Sequence, residues 1–223
     1  MFVINERGPE PDDELIEMLK SVEPATVGHF KHDGFMNPSL RPVVRSAKLV
    51  GPAVTVKAPG ADSTVVHKAI EIAQPGDVIV VDRCGDTKHA CWGGLVTLAA
   101  YLNKVAGGIV DGSATDISEV EALGFPLYAN GISALTTKLL GFGGEINTIV
   151  QCGGVTVNPG DLIVADDNGI LVLRPDEAKA VAEKALFIQE KEKGLVDALK
   201  LGKALADLSG ANALIAKRMA EKG

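Results

Sequence analysis

Aromatic residues and cysteines are scarce in this sequence, and both scarcities restrict what the protein can be. Aromatic residues make up 4% of the 223-residue chain, so the core must be built mainly from Val, Ile, Leu and Ala. The three cysteines form no CxxC pair, which argues against a disulfide framework and against a thiolate zinc site. We therefore expect a reduced, cytoplasmic protein.

Long apolar runs and an excess of positive charge are also missing. The longest charge-free run, residues 122–137, contains Gly and Pro and is shorter than the about 20 apolar residues that a membrane span needs. The first residues lack the basic and apolar regions of a signal peptide. The chain carries 22 Lys and Arg against 29 Asp and Glu, a net charge of −7, and this excess of negative charge repels a phosphate backbone. Neither a membrane nor a nucleic acid is an expected partner.

The order of the hydrophobic patterns predicts a mixed α/β domain. Alternating apolar residues predict strands, and apolar residues spaced three and four apart predict helices. Helices are predicted at DDELIEMLK (12–20), STVVHKAIEIA (63–73), 92–103 and ISEVEALG (117–124). Strands are predicted at GPAVTVKAP (51–59), VAGGIVDG (105–112), PLYANG (126–131), 152–157 and 169–173, and QPGDVIVVD predicts a turn at Pro75 and Gly76 followed by a buried strand with the apolar run 78–81.

The last part of the chain has a different composition. No proline follows Pro175, and residues 176–223 are rich in Ala, Leu, Lys and Glu, which favour helices. We predict an α/β domain at residues 1–175 and a C-terminal helical extension at 176–223, interrupted at Gly194, Gly202 and Gly210. A helical extension of this kind is expected to pack on a neighbouring subunit.

A glycine pair is the first candidate for chemistry. Gly93 and Gly94, followed by Leu95 and Val96, stand at the start of a predicted helix. Backbone amides at a helix N-terminus bind carboxylates and phosphates. A helix that simply begins at two glycines is the alternative explanation, and the motif alone does not decide between them.

A carboxylate at the end of a predicted strand is the second candidate. Asp116 follows DGSAT and precedes the ISEVEALG helix, where α/β folds place ligands, and it is suited to a hard divalent cation. Asp116 or Thr115 is equally suited to cap the helix, with Glu119 completing a capping box. Taken alone, the cap is the simpler explanation.

Several sequence blocks in the same order resemble the RraA-like family. They include GPAVTV, PGDVIVVD, WGGLVTLAA, VAGGIVDGSATD, EVEALGFPLYANG and GGVTVNPGDLIVADDNGILVL, and they extend from about Ala25 to Asp176. This family contains class II 4-hydroxy-4-methyl-2-oxoglutarate aldolases, oxaloacetate decarboxylases and the regulator of ribonuclease activity A. The resemblance implies an α/β fold of the swivelling β/β/α type, in homotrimers or homohexamers with sites between subunits.

The resemblance also implies roles for individual residues. In the aldolases a glycine loop donates amides to a pyruvate carboxylate, an arginine grips that carboxylate, and the next residue, an aspartate, holds Mg²⁺ or Mn²⁺. Another acid lies three positions later. In this sequence the loop is residues 93–96, the metal ligands are Asp116 and Glu119, and Thr115 stands at the arginine position. Threonine offers one neutral hydroxyl where arginine offers a charged, bidentate fork.

Three residues just before the glycine loop are candidates to replace that arginine. Arg83, Lys88 and His89 carry the required charge, although solvated loop charges explain them equally well. His89 or a water would also move protons.

The expected function is a metal-dependent lyase that releases pyruvate from a small 2-oxo acid by retro-aldol cleavage or decarboxylation. The alternatives are a non-catalytic regulator that binds a ribonuclease and an enzyme of the same fold with a different substrate.

Overall fold

A computed structural model describes residues 1–45 and 48–221, and strands and helices alternate along the chain from residue 49 to residue 132. The strands are β1 (Phe2–Ile4), β2 (Arg41–Pro42), β3 (Leu49–Lys57), β4 (Val78–Asp82), β5 (Gly107–Ala114), β6 (Leu127–Ile132), β7 (Gly144–Ile146), β8 (Val150–Cys152), β9 (Val155–Val157), β10 (Leu162–Asp166) and β11 (Gly169–Leu173). The helices are α1 (Asp13–Lys20), α2 (Pro24–Val27), α3 (Thr64–Ile72), α4 (Gly94–Leu102), α5 (Ile117–Leu123), α6 (Pro175–Lys200), α7 (Leu205–Leu208) and α8 (Ala211–Ala220).

Strand β3 joins two parts of a nine-stranded sheet. The main path of this sheet runs β1-β7-β3-β4-β5-β6-β2, and strands β3 to β6 are parallel neighbours. The first half of β3 also pairs antiparallel with β10, which forms a hairpin with β11. Because β3 to β6 run in the same direction, the loops that follow them meet at one edge of the sheet.

Both faces of the central strands are covered, which explains their continuous apolar runs. On β4, Ile79 and Val81 pack in one core cluster with residues of α3 and α4, whereas Val78 and Val80 pack in a second cluster with β8 and β9. The predicted mixed α/β architecture is therefore confirmed, with helices on one face and small strands on the other.

Two local predictions were wrong, and glycines account for both. Residues 152–157 were predicted as one strand, but Gly153 and Gly154 have positive φ angles of 55° and 77° and turn the chain between β8 and β9. A helix break was predicted at Gly194, but α6 continues through it, since one solvent-facing glycine costs a helix only about 1 kcal/mol. Breaks do occur at Gly202 and Gly210.

The chain divides into two compact units, residues 1–182 and 183–223. The division lies within α6, a few residues beyond the predicted start of the helical extension. None of the helices among the described residues combines the length and apolar character that crossing a membrane requires.

The first residues of the chain run across distant parts of the first unit. Strand β1 pairs parallel with β7, and Arg7 forms a salt bridge with Asp77 in the turn before β4. Gly8 lies so close to the turn before β10 that a Cβ there would be 2.3 Å from the Pro159 carbonyl oxygen.

Candidate functional site

The candidate site lies where β4 and β5 end and the chain enters α4 and α5. Trp92, which is fully buried, fixes the first of these connections. Its indole nitrogen donates to the Thr97 hydroxyl at 3.0 Å, and its ring stacks on Phe125 with centroids 6.0 Å apart. The carbonyl of Trp92 accepts from the amide of Thr115 at 2.9 Å. The two connections are therefore held side by side.

Asp116 points toward the start of α4 instead of capping its own helix. It precedes α5 with a left-handed backbone (φ 55°), and its side chain makes no capping hydrogen bond. The carboxylate oxygen Oδ2 accepts from the amide of Gly94, the first residue of α4, at 3.0 Å. A left-handed conformation costs a non-glycine residue about 1 kcal/mol or more, and here it turns the carboxylate away from α5. The geometry thus disagrees with the capping-box explanation of Asp116.

Glu119 also turns toward the glycine pair. A Cβ added to Gly94 would lie 1.6 Å from Glu119 Oε2, and a Cβ added to Gly93 would lie 2.5 Å from Asp116 Oδ2. The two glycines are therefore required because carboxylate oxygens occupy the space that side chains would fill. The family resemblance implied that Glu119 belongs to this site, but the sequence did not show how closely it approaches Gly94.

These groups open into a cavity of about 510 Å³. Gly93–Val96 form one wall, and Thr115, Asp116 and Glu119 form the next. Two further segments complete the cavity, the start of α3 with Ser63 and His67, and residues 136–139. Asp116, Glu119, His67 and Lys138 are all solvent-exposed, so the cavity is open to small polar ligands.

The wall formed by residues 136–139 is anchored by hydrogen bonds to distant segments. The Ala90 amide donates to the Leu135 carbonyl at 2.8 Å, and the Thr137 amide donates to the Ala90 carbonyl at 3.0 Å. The amide of Lys138 donates to the Ala61 carbonyl at 2.8 Å, and its carbonyl accepts from Ser63 at 3.0 Å.

Buried Asp62 provides the second anchor of this wall. Its carboxylate accepts from the amides of Thr64, Leu140 and Phe142 at 2.7–3.1 Å. Burial alone would raise the pKa of Asp62, but these hydrogen bonds outweigh it and lower the pKa to about 2. Asp62 is therefore ionised under ordinary conditions and holds the wall in place.

The three residues predicted to replace the family arginine do not line this cavity. Arg83 is fully buried, and its guanidinium donates to the carbonyls of Ala58, at 2.5 Å, and Gly60. His89 Nδ1 lies 2.7 Å from Asp86 Oδ2, and the amide of Lys88 donates to the same carboxylate. The Asp86 carboxylate organises the loop 86–89, and its hydrogen bonds with this loop lower its pKa against the effect of burial.

His67 and Lys138 are the cavity residues that the sequence analysis missed. The pattern STVVHKAIEIA predicts His67 at the surface or half-buried on a helix, but it does not predict a cavity there, and nothing in the sequence marked Lys138. The position of Lys138 depends on its pairing with Asp62 in an isolated parallel bridge, a contact between segments far apart in the sequence.

Comparisons with known proteins agree with this architecture. Residues 19–172 match the family model RraA-like, described as aldolase/RraA. The chain belongs to the RraA-like family. A Halalkalibacterium halodurans protein provisionally named 4-hydroxy-4-methyl-2-oxoglutarate aldolase is 39% identical over 155 residues, which are 69% of this chain and 73% of that protein.

Solved RraA-like structures have the same fold. Streptomyces coelicolor RraAS2, described as an unusual member of the RNase ES inhibitor RraA protein family, is 28% identical with a TM-score of 0.74, and the match covers 83% of this chain and 97% of that one. An uncharacterised protein from Pseudomonas syringae has a TM-score of 0.77 at 24% identity, over 90% of this chain and 98% of that one; this second similarity concerns the fold alone. RraA-like proteins thus include both named aldolases and named ribonuclease inhibitors.

Asp116 and Glu119 form an acidic pair that is suited to a hard divalent cation, one that takes few ligands from the protein. Within residues 1–45 and 48–221, no group of three His, Cys, Asp or Glu side chains is arranged to hold a metal. The space above Gly93 and Gly94, however, is a cradle that carboxylate oxygens of Asp116 and Glu119 enter. Mg²⁺ commonly takes one or two carboxylates and completes its shell with water and substrate oxygens, so this donor set is suitable.

Proposed function

We propose that this RraA-like protein is a divalent-metal-dependent lyase that breaks a carbon–carbon bond in a small 2-oxo acid and releases pyruvate. One observation carries the proposal: two carboxylates, Asp116 and Glu119, meet the amide end of α4 in one open cavity. The relative named as an aldolase supports it.

Asp116 and Glu119 are the proposed metal ligands, and Mg²⁺ or Mn²⁺ is the proposed cation. When bound, the cation supplies positive charge beside the substrate's carboxylate and keto oxygens, which stabilises the negative charge that develops as the bond breaks. The Gly94 amide keeps Asp116 aimed into the cavity through its 3.0 Å hydrogen bond, so the ligand needs little rearrangement to bind.

The amides of α4 bind the substrate carboxylate in this proposal. The first amides of a helix have no carbonyl partner within the helix, and those of Leu95 and Val96 belong to residues that line the cavity. The partial positive charge at the helix N-terminus adds to their attraction for an anion. These amides orient the substrate between α4 and the acidic pair.

Proton transfer is assigned to His67. Cleavage leaves a carbanionic carbon that must take up a proton, and His67 is exposed in the cavity wall. His89, the residue expected from the sequence, directs Nδ1 to Asp86 and does not line the cavity. An imidazole can both donate and accept a proton, which suits this transfer.

The experiment that tests the function is an assay of pyruvate release. Oxaloacetate and 4-hydroxy-4-methyl-2-oxoglutarate are offered with Mg²⁺, with Mn²⁺ and with EDTA, and pyruvate is measured by coupled oxidation of NADH. Metal-dependent release is expected, and Asp116→Asn should lower it by about 100-fold or more, since a charged ligand is lost. Asp13→Asn, which removes an exposed carboxylate in α1, should leave the rate unchanged.

Two results would contradict the proposal. One is no release from folded protein with either substrate and either metal. The other is a normal rate in Asp116→Asn, which would show that the assigned site is wrong.

A ribonuclease-binding regulator is the second candidate. The observation that favours it is Thr115 at the position of the family arginine, together with the likeness to RraAS2. Recovery of a ribonuclease in equal amounts with the tagged protein, combined with no pyruvate release, would favour this second function. An enzyme of the same fold with another substrate would instead bind a divalent metal through Asp116 without releasing pyruvate.

A further inference from the structure

The lining of the cavity includes Lys138 as well as the two acids Asp116 and Glu119. Among the described residues that line it, Lys138 is the one with a permanent positive charge at neutral pH. No ion pair of Lys138 occurs in the described part of the chain. Other lysines are engaged with neighbouring acids, such as Lys68 with Glu71 and Lys57 with Glu145.

The backbone of Lys138 is fixed although its side chain is free. Hydrogen bonds of its amide and its carbonyl tie it to residues 61 and 63, and buried Asp62 binds the amides of Leu140 and Phe142. A lysine on a fixed backbone loses less freedom on binding an anion than one on a mobile loop. The position is therefore prepared for a ligand.

The three basic residues just before the glycine loop, Arg83, Lys88 and His89, are not available in the cavity. The buried guanidinium of Arg83 is used by backbone carbonyls, and neither Lys88 nor His89 lines the cavity. Thr115 contributes a hydroxyl without charge. A substrate carboxylate that enters the cavity beside Asp116 and Glu119 needs a cation to offset repulsion from these acids, and Lys138 provides it.

We propose that Lys138 binds a carboxylate of the substrate and so takes over the charge that Thr115 lacks. This inference rests on the proposed function, because it assigns an anionic substrate to the same cavity. A lysine is a flexible point charge, whereas arginine is a planar fork. The site should therefore accept carboxylates in more than one orientation and discriminate weakly among small 2-oxo acids.

Binding of oxalate tests the inference separately from catalysis. Oxalate has two carboxylates and no bond to cleave, and isothermal titration calorimetry measures its affinity with Mg²⁺ present and with EDTA. Lys138→Met should weaken oxalate binding by about 10- to 100-fold, the range expected for a lost charged hydrogen bond. Lys138→Arg should retain binding within about threefold, because the positive charge remains.

Lys68→Met is the matched control. It removes the same charge from α3, one residue from His67, but Lys68 is not part of the cavity lining. Oxalate affinity in this variant should remain within about threefold of the starting protein, and thermal unfolding of all variants shows whether they are folded.

The possible results separate the two proposals. Oxalate affinity that is equal in Lys138→Met and the starting protein would overturn the role of Lys138, even if pyruvate release is normal. The absence of any oxalate binding by the starting protein would overturn it as well. Lys138-dependent oxalate binding without pyruvate release would support the carboxylate site and refute the lyase.

Discussion

The carboxylates of the site occupy space that is free because residues 93 and 94 are glycines without side chains. Gly94 is the clearest case, since a Cβ at this position and Glu119 Oε2 need the same space. The far end of a glutamate side chain moves easily, so the conflict is relieved by displacing the carboxylate and not the backbone. A change at Gly94 should therefore affect function much more than folding.

Gly94→Ala tests this separation of function from stability. Pyruvate release should fall by about 10-fold or more, because the displaced Glu119 no longer holds its position beside Asp116. The free energy of unfolding should change by less than about 1 kcal/mol, since alanine is favourable in a helix. Gly131→Ala is the control, as a Cβ there would meet only the Ser113 hydroxyl at 3.8 Å. Full activity in Gly94→Ala would refute the fixed position of Glu119.

Asp62 gives a prediction about pH. Its pKa in the folded protein, about 2, lies below the ordinary value of 3.8, so its ionised form stabilises the fold. This contribution is complete above about pH 4 and is lost as the pH falls through about 2. Thermal unfolding between pH 2 and pH 7 should show a smaller acid-induced loss of stability in Asp62→Asn than in the starting protein.

The same substitution should be costly at neutral pH. An amide oxygen cannot accept the full set of hydrogen bonds that the carboxylate accepts, so Asp62→Asn should lower the free energy of unfolding at pH 7 by about 1–3 kcal/mol. An equal acid response in both proteins would show that Asp62 is not the group that titrates.

At the scale of elements, a salt bridge between Arg7 and Asp77 holds the segment before α1, and only its Asp77 side is buried. Asp77 is 1% exposed and Arg7 26% exposed, and burial raises the pKa of Asp77 while Arg7 opposes this rise. Removing the guanidinium leaves the buried Asp77 carboxylate without its cation, although it still accepts from the Gln74 amide at 2.8 Å. Such a change costs far more than the loss of an exposed pair.

Arg7→Met should therefore lower the free energy of unfolding by about 2–4 kcal/mol in urea denaturation. Lys20→Met, which breaks an exposed pair with Glu17 on α1, should change it by less than about 0.5 kcal/mol. Similar losses in the two variants would contradict a structural role for the Arg7 salt bridge.

The sequence predicted the elements better than their contacts. Helix α3 has a clear helical period and strand β4 a continuous apolar run, and both were predicted within one residue of their observed bounds. The β8–β9 hairpin was missed because two glycines in a short apolar run are compatible with a strand or with a turn. Glu119 was expected at the site only from the family resemblance, and the position of Lys138 could not be predicted, since it depends on a bridge between residues 62 and 138.

At the scale of the whole molecule, the second unit exposes many apolar side chains. Leu214, Ile215 and Met219 on α8 are 58–72% exposed, and none of the described residues of α7 or α8 is buried. Exposed apolar faces of this size mark interaction surfaces. We propose that residues 183–223 pack on a second copy of this chain in a homotrimer or homohexamer.

Ile215→Lys tests this packing. Light scattering coupled to size-exclusion chromatography should show a smaller assembly than the starting protein forms, because a charge would be buried in the contact. Ala213→Lys adds the same charge about 160° around the helix from Ile215 and should leave the assembly intact. A starting protein that is monomeric would refute the proposal directly.

The order in which the chain is synthesised has a consequence for the segment that crosses the first unit. Asn5 bonds with Asn147, 142 residues later, and Arg7 with Asp77, 70 residues later. On the ribosome, β1 therefore emerges long before β7 exists to pair with it, and the salt bridge becomes available at an intermediate stage. A nascent chain must therefore carry β1 unpaired until residues 144–146 have been made and have left the ribosome.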